Sequence, residues 1–555
     1  MFRRHRSYEK ASKQFDLKQF QKELLSSDPD QFKTISFDFF DTLVLRKSLT
    51  HYAGWKKISL GFFCNRLIAE IISRVVARID GYPEVQMQDI YRYMLPLWNS
   101  DVEISLEAEN LLPNPFLLNL FNALSDQGRT IVVISDTHFD SNTISMWLRG
   151  FGFNDCSVFT SQEFLKTKST GLFDEIHAAR KIAYPEWIHI GDNLRSDIQS
   201  ATALGIRALY FPKLFEQFRN LNLLSGRGLK RLSRHHETEF AVSSYLRQAL
   251  CSPNFEVKPT AHPFLPYLGL FVGAPISRSI AEEIHSAHLQ QDFDQILYSS
   301  RDGWLPYCWH RDLHPDDPIL YFKTSRAMIL SEHFVNYVHG ITGDSRQVAL
   351  FDFGWRGTSL SYLVKKFHQI SWSGFFWQVR SPDGLKSRSF NSQSSHPLAI
   401  WRARDFVELV FTDPSNGYAN LNEALEPIER NGSSNASNRL EILRGSMAGI
   451  QQGLPFLNLE QSTFLLELFS RYPSRELATA LAEEKHDIRE GVNDFLVTNS
   501  WSRLFSKNSV MWPGSAYLRD SKLIVDQLVF RFLFHIKELL QRSINVLNLK
   551  LGKRG

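Results

Sequence analysis

The period of the hydrophobic pattern changes several times along the chain. Residues 33–45, KTISFDFFDTLVL, are a short apolar run leading into a turn, the signature of a buried strand. From about 50 to 128 the period becomes helical. LIAEIISRVVARI carries apolar residues at helical spacing, and VQMQDIYRYMLPLW follows the breaker at Gly81, Tyr82 and Pro83. Next comes TIVVISDTHF (130–139), a β-branched run that ends in polar residues. SNTISMWLRGFG predicts a helix closed by glycine, CSVFTS and EWIHIGDN two strands, IQSATALG a helix and IRALYF a last strand. Strands alternating with helices in this rhythm predict a parallel sheet covered on both faces. The polar residues fall just past the strand ends, where open α/β sheets place their ligands.

Beyond residue 215 the pattern is interrupted by FEQFRNLNLLSGRGLKRLSRHHETEF, which is basic and punctuated by glycine, the composition of a solvated connector. A second α/β pattern then begins. FDQILYSSRDG (293–303), DPILYFKTSR (317–326) and RQVALFDFGWRGTS (346–359) are each a strand running into a polar loop, and GFFWQV (374–379) is a further strand. Low-complexity loops follow at 385–397 and 430–439, and the remainder is largely helical, with no short internal repeat. The expected fold class is α/β. A Rossmann-like core is expected at 30–215 with a helical insertion at about 48–128, then a basic linker at 216–258, a second α/β domain at 259–425 and a mainly helical region at 440–555.

Length supports this division, because 555 residues are too many for one hydrophobic core. With 43% hydrophobic and 22% charged residues the chain has the balance of a water-soluble globular protein. A net charge of +4 is too small to argue for nucleic acid as a partner. Cys64, Cys156, Cys251 and Cys308 form no C-x-x-C pair, so the cysteines suggest neither a disulfide framework nor a zinc site, and a reducing cytoplasm is expected. The basic stretch MFRRHRSYEK is not followed by an apolar core of secretory length, so no signal peptide is expected. No window approaches ~18 uninterrupted apolar residues, so no transmembrane segment is expected either. The stretch 521–551 mixes apolar residues with Arg531, Lys537, Arg542 and Lys550, but also holds Asp526 and Glu538; it is expected to be a packing helix rather than a membrane-surface one.

Four features of the first half carry chemistry. Asp38, at the end of the first strand, can attack phosphorus or carbon and can bind Mg²⁺, a hard cation that prefers oxygen. Ser135 ends the strand IVVIS, where its hydroxyl can hold a phosphate oxygen. Lys168, in KTKSTGLF, can neutralise charge on nucleophile and substrate together. GDNLRSD supplies Asp192, which would complete a Mg²⁺ site, and Asp197, a ligand or a support for one. Each feature alone is common in turns and caps. Their joint order at the strand ends of one α/β pattern points to a functional set.

The segments FDFFDTL, VVISDTHF, KTKSTGLF and HIGDNLRSD together resemble the haloacid-dehalogenase (HAD) superfamily over about residues 33–213. Within it the chain looks most like a bacterial two-domain subgroup of hydrolases associated with surface-polysaccharide and glycosyltransferase loci. NRLIAE, YSSRDG and DFGWRGT resemble that subgroup too, out to roughly residue 380. The resemblance implies a HAD-type core whose inserted helices form a cap over the active site, and a Mg²⁺-dependent phosphatase or phosphotransferase working through an aspartyl intermediate. It implies a small phosphorylated substrate such as a sugar phosphate, with a glycosyltransferase or polysaccharide-assembly protein as a partner. Asp38, Asp192, Asp197 and the backbone carbonyl of Phe40 would hold the metal. One position departs from the family: most HAD phosphatases carry a second Asp two residues after the nucleophile, as general acid and base, and here that residue is Phe40. Three readings stay open. Asp41 or Asp136 takes over the proton, the chemistry is of the dehalogenase or phosphonatase kind, or the domain binds a phosphorylated ligand without turning it over.

In the second half, Arg301, Asp302, Arg326, Asp352, Gly354, Arg356, Gly357 and Thr358 form a possible second site for a nucleotide or sugar phosphate. Gly354 and Gly357 would let backbone amides approach an anion at a helix N-terminus, and the arginines would clamp phosphates. The competing reading is a pair of tight turns.

Overall fold

In the computed structural model the described residues are 15, 17–47, 59–95, 98–232, 236–251, 262–355, 357–379, 387–390, 404–411, 413, 418–429, 437–451, 454–482, 485–489 and 492–495. The chain forms two compact units. One comprises Met1–Leu221 and Ser233–Glu256; the other comprises Asn222–Leu232 and Val257–Gly555.

The first unit is built on a five-stranded parallel sheet in the order β5-β4-β1-β6-β7, with β1 Thr34–Phe37, β4 Thr130–Ser135, β5 Cys156–Thr160, β6 Trp187–Gly191 and β7 Arg207–Tyr210. All four residues of β1 and all five of β6 are buried, because helices cover both faces. Helix α5 (Pro115–Asp126) shows how a covering helix is specified. The side chain of Asn114 caps it by accepting the N–H of Leu117, Pro115 sits in the first turn, and Phe116, Leu117, Leu120, Phe121 and Leu124 form the buried face. Phe121 packs on Phe37 and Phe153 with ring centroids 5.8 and 5.2 Å away. Helix α6 (Ser141–Gly150) is capped by Asp140 in the same manner and buries Ile144, Trp147 and Leu148.

Two short strands, β2 (Val44–Arg46) and β3 (Leu111–Pro113), pair antiparallel and form the stem of the insertion. Between them lie α2 (Leu60–Ile79), α3 (Met87–Arg92) and α4 (Ser100–Asn110). Their small apolar core is Phe62, Ala69, Val85, Ile90 and Met94. The isoleucine-rich face of α2 that the pattern picks out is exposed at Ile68, Ile71, Val75 and Ile79, while the helix buries Arg66 and Ala69 instead. Helix α5, inside the segment expected to be inserted, packs against β4 and is a layer of the core.

The stretch expected as a linker contributes the helices Gly226–Leu232 and His236–Cys251, which belong to different units.

The second unit has its own parallel sheet, β12-β11-β10-β8-β9, with β8 Gln295–Ser299, β9 Ile319–Phe322, β10 Gln347–Trp355, β11 Ser371–Val379 and β12 Ser387–Ser389. Leu297, Phe322, Val348, Leu350, Trp372 and Phe376 lie in its core. The helix Ser437–Gln451 crosses the helical run 265–291 on glycine. A Cβ on Gly269 would lie 1.8 Å from the carbonyl oxygen of Ile442, and one on Gly445 would lie 1.7 Å from that of Pro266. Beyond the helices Leu459–Arg471 and Arg475–Ala482, the C-terminal region expected to be mainly helical holds an antiparallel hairpin, Lys485–Arg489 with Val492–Phe495. The segment 521–551 lies outside the described residues. Among the described residues no helix is long and apolar enough to cross a membrane.

Candidate active site

Register places the site. Phe37, the last residue of β1, is level with Val133 of β4 and Ile190 of β6, so the residues just past all three strand ends meet at one edge. This is also where the strand order reverses around β1, the position at which open α/β sheets hold ligands. Asp38 is fixed there by its N–H, which donates to the Ile190 carbonyl at 2.8 Å. Ser135 is the last residue of β4 and is buried. Lys168 opens a one-turn 3₁₀ helix after β5, and its N–H donates to Asp136 Oδ1 at 2.8 Å.

The four charged residues expected at the site converge. Lys168 Nζ donates to Asp38 Oδ1 and to Asp197 Oδ1, each at 2.5 Å. Asp38, Asp192 and Asp197 each present an oxygen within 4.8 Å of the others, and all three are buried. Asp197 is fully used by its surroundings: its other oxygen accepts the N–H of Asn193 at 2.8 Å, and His189 Nε2 lies 3.3 Å from Oδ1. Gly191 leaves the room for this carboxylate, since a Cβ there would lie 2.4 Å from Asp197 Cγ. Asp197 therefore anchors Lys168, and it stands with Asp38 and Asp192 in one cluster of buried carboxylates that could hold a cation.

The electrostatics follow from burial. Desolvation pushes the Asp38 carboxyl well above its ordinary range and outweighs the attraction of Lys168. Desolvation also raises Asp192, against the pull of Lys213. Burial would lower Lys168, but Asp197 and Asp38 outweigh it and hold the ammonium above the usual lysine range. Burial keeps His189 neutral. Two buried carboxylates, Asp38 and Asp197, thus share one buried ammonium, and the third, Asp192, has Lys213 Nζ 2.8 Å from its Oδ2 at the rim. An all-oxygen set with excess negative charge fits a hard divalent cation such as Mg²⁺.

The Asp41 carboxylate lies at the rim of this centre, sharing Lys213 with Asp192, and the Phe40 ring packs outside it. Asp41 has φ 58° and faces Arg46 at 3.6 Å and Lys213 at 3.9 Å. The Phe40 ring packs on Phe39, with the Arg46 guanidinium 4.1 Å from its centroid. Lys213, His189 and Asn193 were not foreseen from the sequence; each is a single polar residue near a strand end with no pattern to mark it.

A cavity of about 700 Å³ opens beside the site. Asp136 just after β4, Thr170 beside Lys168 and Arg195 after β6 line it together with Arg74, Arg78 and Tyr82 of the insertion. A polar network ties the insertion to the loop after β4. Arg66 grips Glu103 with two N–H groups at 2.6 and 2.9 Å, and Glu103 Oε1 lies 3.1 Å from His138 Nε2. Arg74 bonds Glu84 at 2.7 Å, and Glu84 contacts Ser161 Oγ, which accepts the N–H of Thr137.

In the second unit, the loop 300–303 follows β8, while Asp352 and Gly354 lie in the last part of the adjacent strand β10, which is paired as far as Trp355 where a polar loop was expected; Arg301, Asp302, Asp352, Gly354, Gly357 and Thr358 thus come to one sheet edge. Asp352 Oδ1 accepts the N–H of Gly354 at 2.9 Å. Gly354 and Gly357 both have positive φ, 90° and 65°, and Gly357 caps the helix Thr358–Lys366. Arg356 and the side chain of Arg326 lie outside the described residues.

No family model matches the chain, and no curated protein does. Among solved structures it is similar to a HAD phosphatase from Thermococcus onnurineus, with 18% identity and a TM-score of 0.26 over 32% of this chain and 86% of that one. It is also similar to a HAD-family enzyme from Bacteroides thetaiotaomicron in complex with magnesium and inorganic phosphate, with 15% identity and a TM-score of 0.24 over 33% and 95%. A haloacid dehalogenase-like hydrolase from Xanthomonas campestris gives 13% identity and a TM-score of 0.23 over 33% and 84%. Each of these three is matched over about a third of this chain.

Proposed function

We propose that the first unit is a Mg²⁺-dependent HAD-type phosphohydrolase or phosphotransferase acting on a sugar phosphate or similar small metabolite. The observation that carries this is the shared ammonium of Lys168, 2.5 Å from both Asp38 and Asp197, beside Asp192 at the strand ends of a parallel sheet. Asp38, Asp192 and the Phe40 carbonyl would hold the cation, which when bound would offset carboxylate repulsion and draw charge from the phosphoryl oxygens.

Asp38 would attack phosphorus as the bond to the leaving oxygen breaks, giving an aspartyl phosphate. Lys168 would hold the ammonium against the charge that builds on the phosphoryl group, and Ser135 would orient it. The leaving oxygen would take its proton from Asp136, which faces the cavity, with Asp41 as the other carboxyl in reach. Water, or a second hydroxyl, would then give its proton to the Asp136 carboxylate as its oxygen attacks phosphorus and the bond to Asp38 breaks, returning the Asp38 carboxylate and releasing phosphate or the new phosphate ester. The insertion would serve as the cap. A role in surface-polysaccharide assembly beside a glycosyltransferase, in the cytoplasm, is part of the proposal and rests on the sequence resemblance alone.

The test is turnover of p-nitrophenyl phosphate and a panel of sugar phosphates with Mg²⁺, for wild type and Asp38→Asn. Activity that vanishes in the variant and with chelator supports the reading. A wild type that binds phosphate esters but releases no phosphate would make the unit a binding or scaffold module, in keeping with Phe40 at the usual acid position.

The second unit supports a separate reading: the loop 300–303 and the adjacent end of β10 form a binding edge for a nucleotide or sugar phosphate. Binding of such ligands by full-length protein, weakened in Arg301→Ala, tests it.

A further inference from the structure

Away from the site just described, histidines gather in the second unit where α7 (Ala274–Gln291) and α8 (Trp304–Leu313) meet the start of β9. His285 Nδ1 and His310 Nε2 each lie 2.7 Å from the same oxygen, Oδ2, of Asp317. The three ligating atoms are within 4.8 Å of one another. His314 stacks on His285 with centroids 3.6 Å apart and faces Glu282 at 3.1 Å. The cluster sits just ahead of β9, at the edge of the sheet opposite the loop 300–303 and the end of β10.

The surroundings of each ring decide which atoms can ligate. His310 is fully buried, and its Nδ1 is held by the Tyr298 hydroxyl at 2.5 Å, which leaves Nε2 aimed at Asp317. A hydrogen bond on the far ring nitrogen is how metal-binding imidazoles are oriented. His288 Nδ1 accepts the N–H of Phe293 at 3.1 Å, so its Nε2 carries the proton. That nitrogen is 4.0 Å from Asp317 Oδ1, beyond hydrogen-bond reach, and His288 stays outside the set. His285 is partly exposed and leaves a path for an ion and for a water as further ligand.

We propose that His285, His310 and Asp317 form a binding site for a divalent first-row cation of the zinc class, which pins α7 and α8 to the start of β9. Two imidazoles and one carboxylate are a donor set that zinc accepts, and one that magnesium does not favour. The arrangement it replaces has both imidazoles donating protons to Asp317.

The test uses full-length protein stripped with chelator and returned to excess Mg²⁺, so that the carboxylate site of the first unit is saturated. ZnCl₂ is then titrated, and bound metal is counted by mass spectrometry after gel filtration. One zinc per chain is expected for wild type and for Asp38→Asn, and a loss of at least about 100-fold in affinity for His285→Ala, whose partly exposed position favours folding. Tyr298→Phe keeps the ring and removes the hydroxyl, and should weaken zinc by roughly 10-fold. Zinc should raise the unfolding temperature of wild type and not that of His285→Ala. Equal zinc in wild type and His285→Ala, or none in wild type, would overturn the site. Loss of zinc in Asp38→Asn alone would assign the ion to the first unit and likewise overturn it.

Discussion

Lys168 Nζ and Asp197 Oδ1 are 2.5 Å apart in a buried ion pair, and the same ammonium reaches Asp38 at an equal distance. Asp197 thereby sets where the charge sits relative to the nucleophile. Lys168→Met removes the cation and leaves two buried carboxylates facing each other. Breaking such a pair costs about 3–5 kcal/mol, and turnover should fall by roughly 10³-fold or more. Urea unfolding and phosphate release check both. Asp197→Asn should keep the fold and lower kcat more than it changes KM, because it frees the lysine rather than removing it. Wild-type kcat in Asp197→Asn would show that the anchor is not needed.

Asp136 and Asp41 should separate by leaving group. Asp136 lines the cavity beside Lys168, whereas Asp41 is turned to Arg46 and Lys213. With a sugar phosphate, whose alkoxide must be protonated, Asp136→Asn should lower kcat by about 10²–10⁴-fold. With p-nitrophenyl phosphate, whose phenolate leaves unaided, the loss should be small. Asp41→Asn should spare both substrates. The opposite ranking would move the proton to Asp41.

Arg78 and Arg195 approach the cavity from the insertion and from the loop after β6. They should bind charge on the part of the substrate remote from the reacting phosphorus. Arg78→Ala and Arg195→Ala are expected to raise KM several-fold for a doubly anionic substrate with kcat little changed, the mark of uniform binding. An unchanged KM across the panel would remove these arginines from substrate recognition.

The insertion should loosen in acid before the sheet does. Burial would raise the Glu103 carboxyl, but His138 and Arg66 outweigh it and hold it at about 2, against an ordinary 4.5. A carboxyl whose folded pKa is depressed contributes stability above its unfolded value, and that contribution fades as pH falls from 4.5 towards 2. The loss amounts to about 3 kcal/mol. Hydrogen exchange in α2 and α4 should therefore rise across this window and stay flat above it, and Glu103→Gln should remove the dependence. Protection in wild type that holds steady to pH 2 would rule out the network as the insertion's anchor.

The central site was readable from sequence because parallel strands buried on both faces appear as continuous apolar runs. Their ends are easily located, and chemistry gathers there. Asp38, Lys168, Asp192 and Asp197 all follow such runs. Contacts between distant segments left no local signal. Arg66 and Glu103 look like ordinary polar positions on two helices, and only the pairing of those helices makes them a buried ion pair. Lys213 and His189 are single residues without a period. The histidines of α7 and α8 lie on separate helices, so their meeting at Asp317 depends on a packing that spacing does not encode. The connector reads as a linker because basic residues and a pair of glycines punctuate it, yet packing inside each unit makes it helical.

The division of that connector has a consequence for heredity as well as for handling. The backbone passes from the first unit to the second at 221, back at 233, and over again at 257. No single cut gives two whole halves: a break at 221 takes the helix His236–Cys251 from the first, and a break at 257 takes Gly226–Leu232 from the second. The two units are not interchangeable cassettes. A lineage that exchanged one of them by a single recombination event would inherit a piece missing from each, so the pair is expected to travel through evolution as one gene segment.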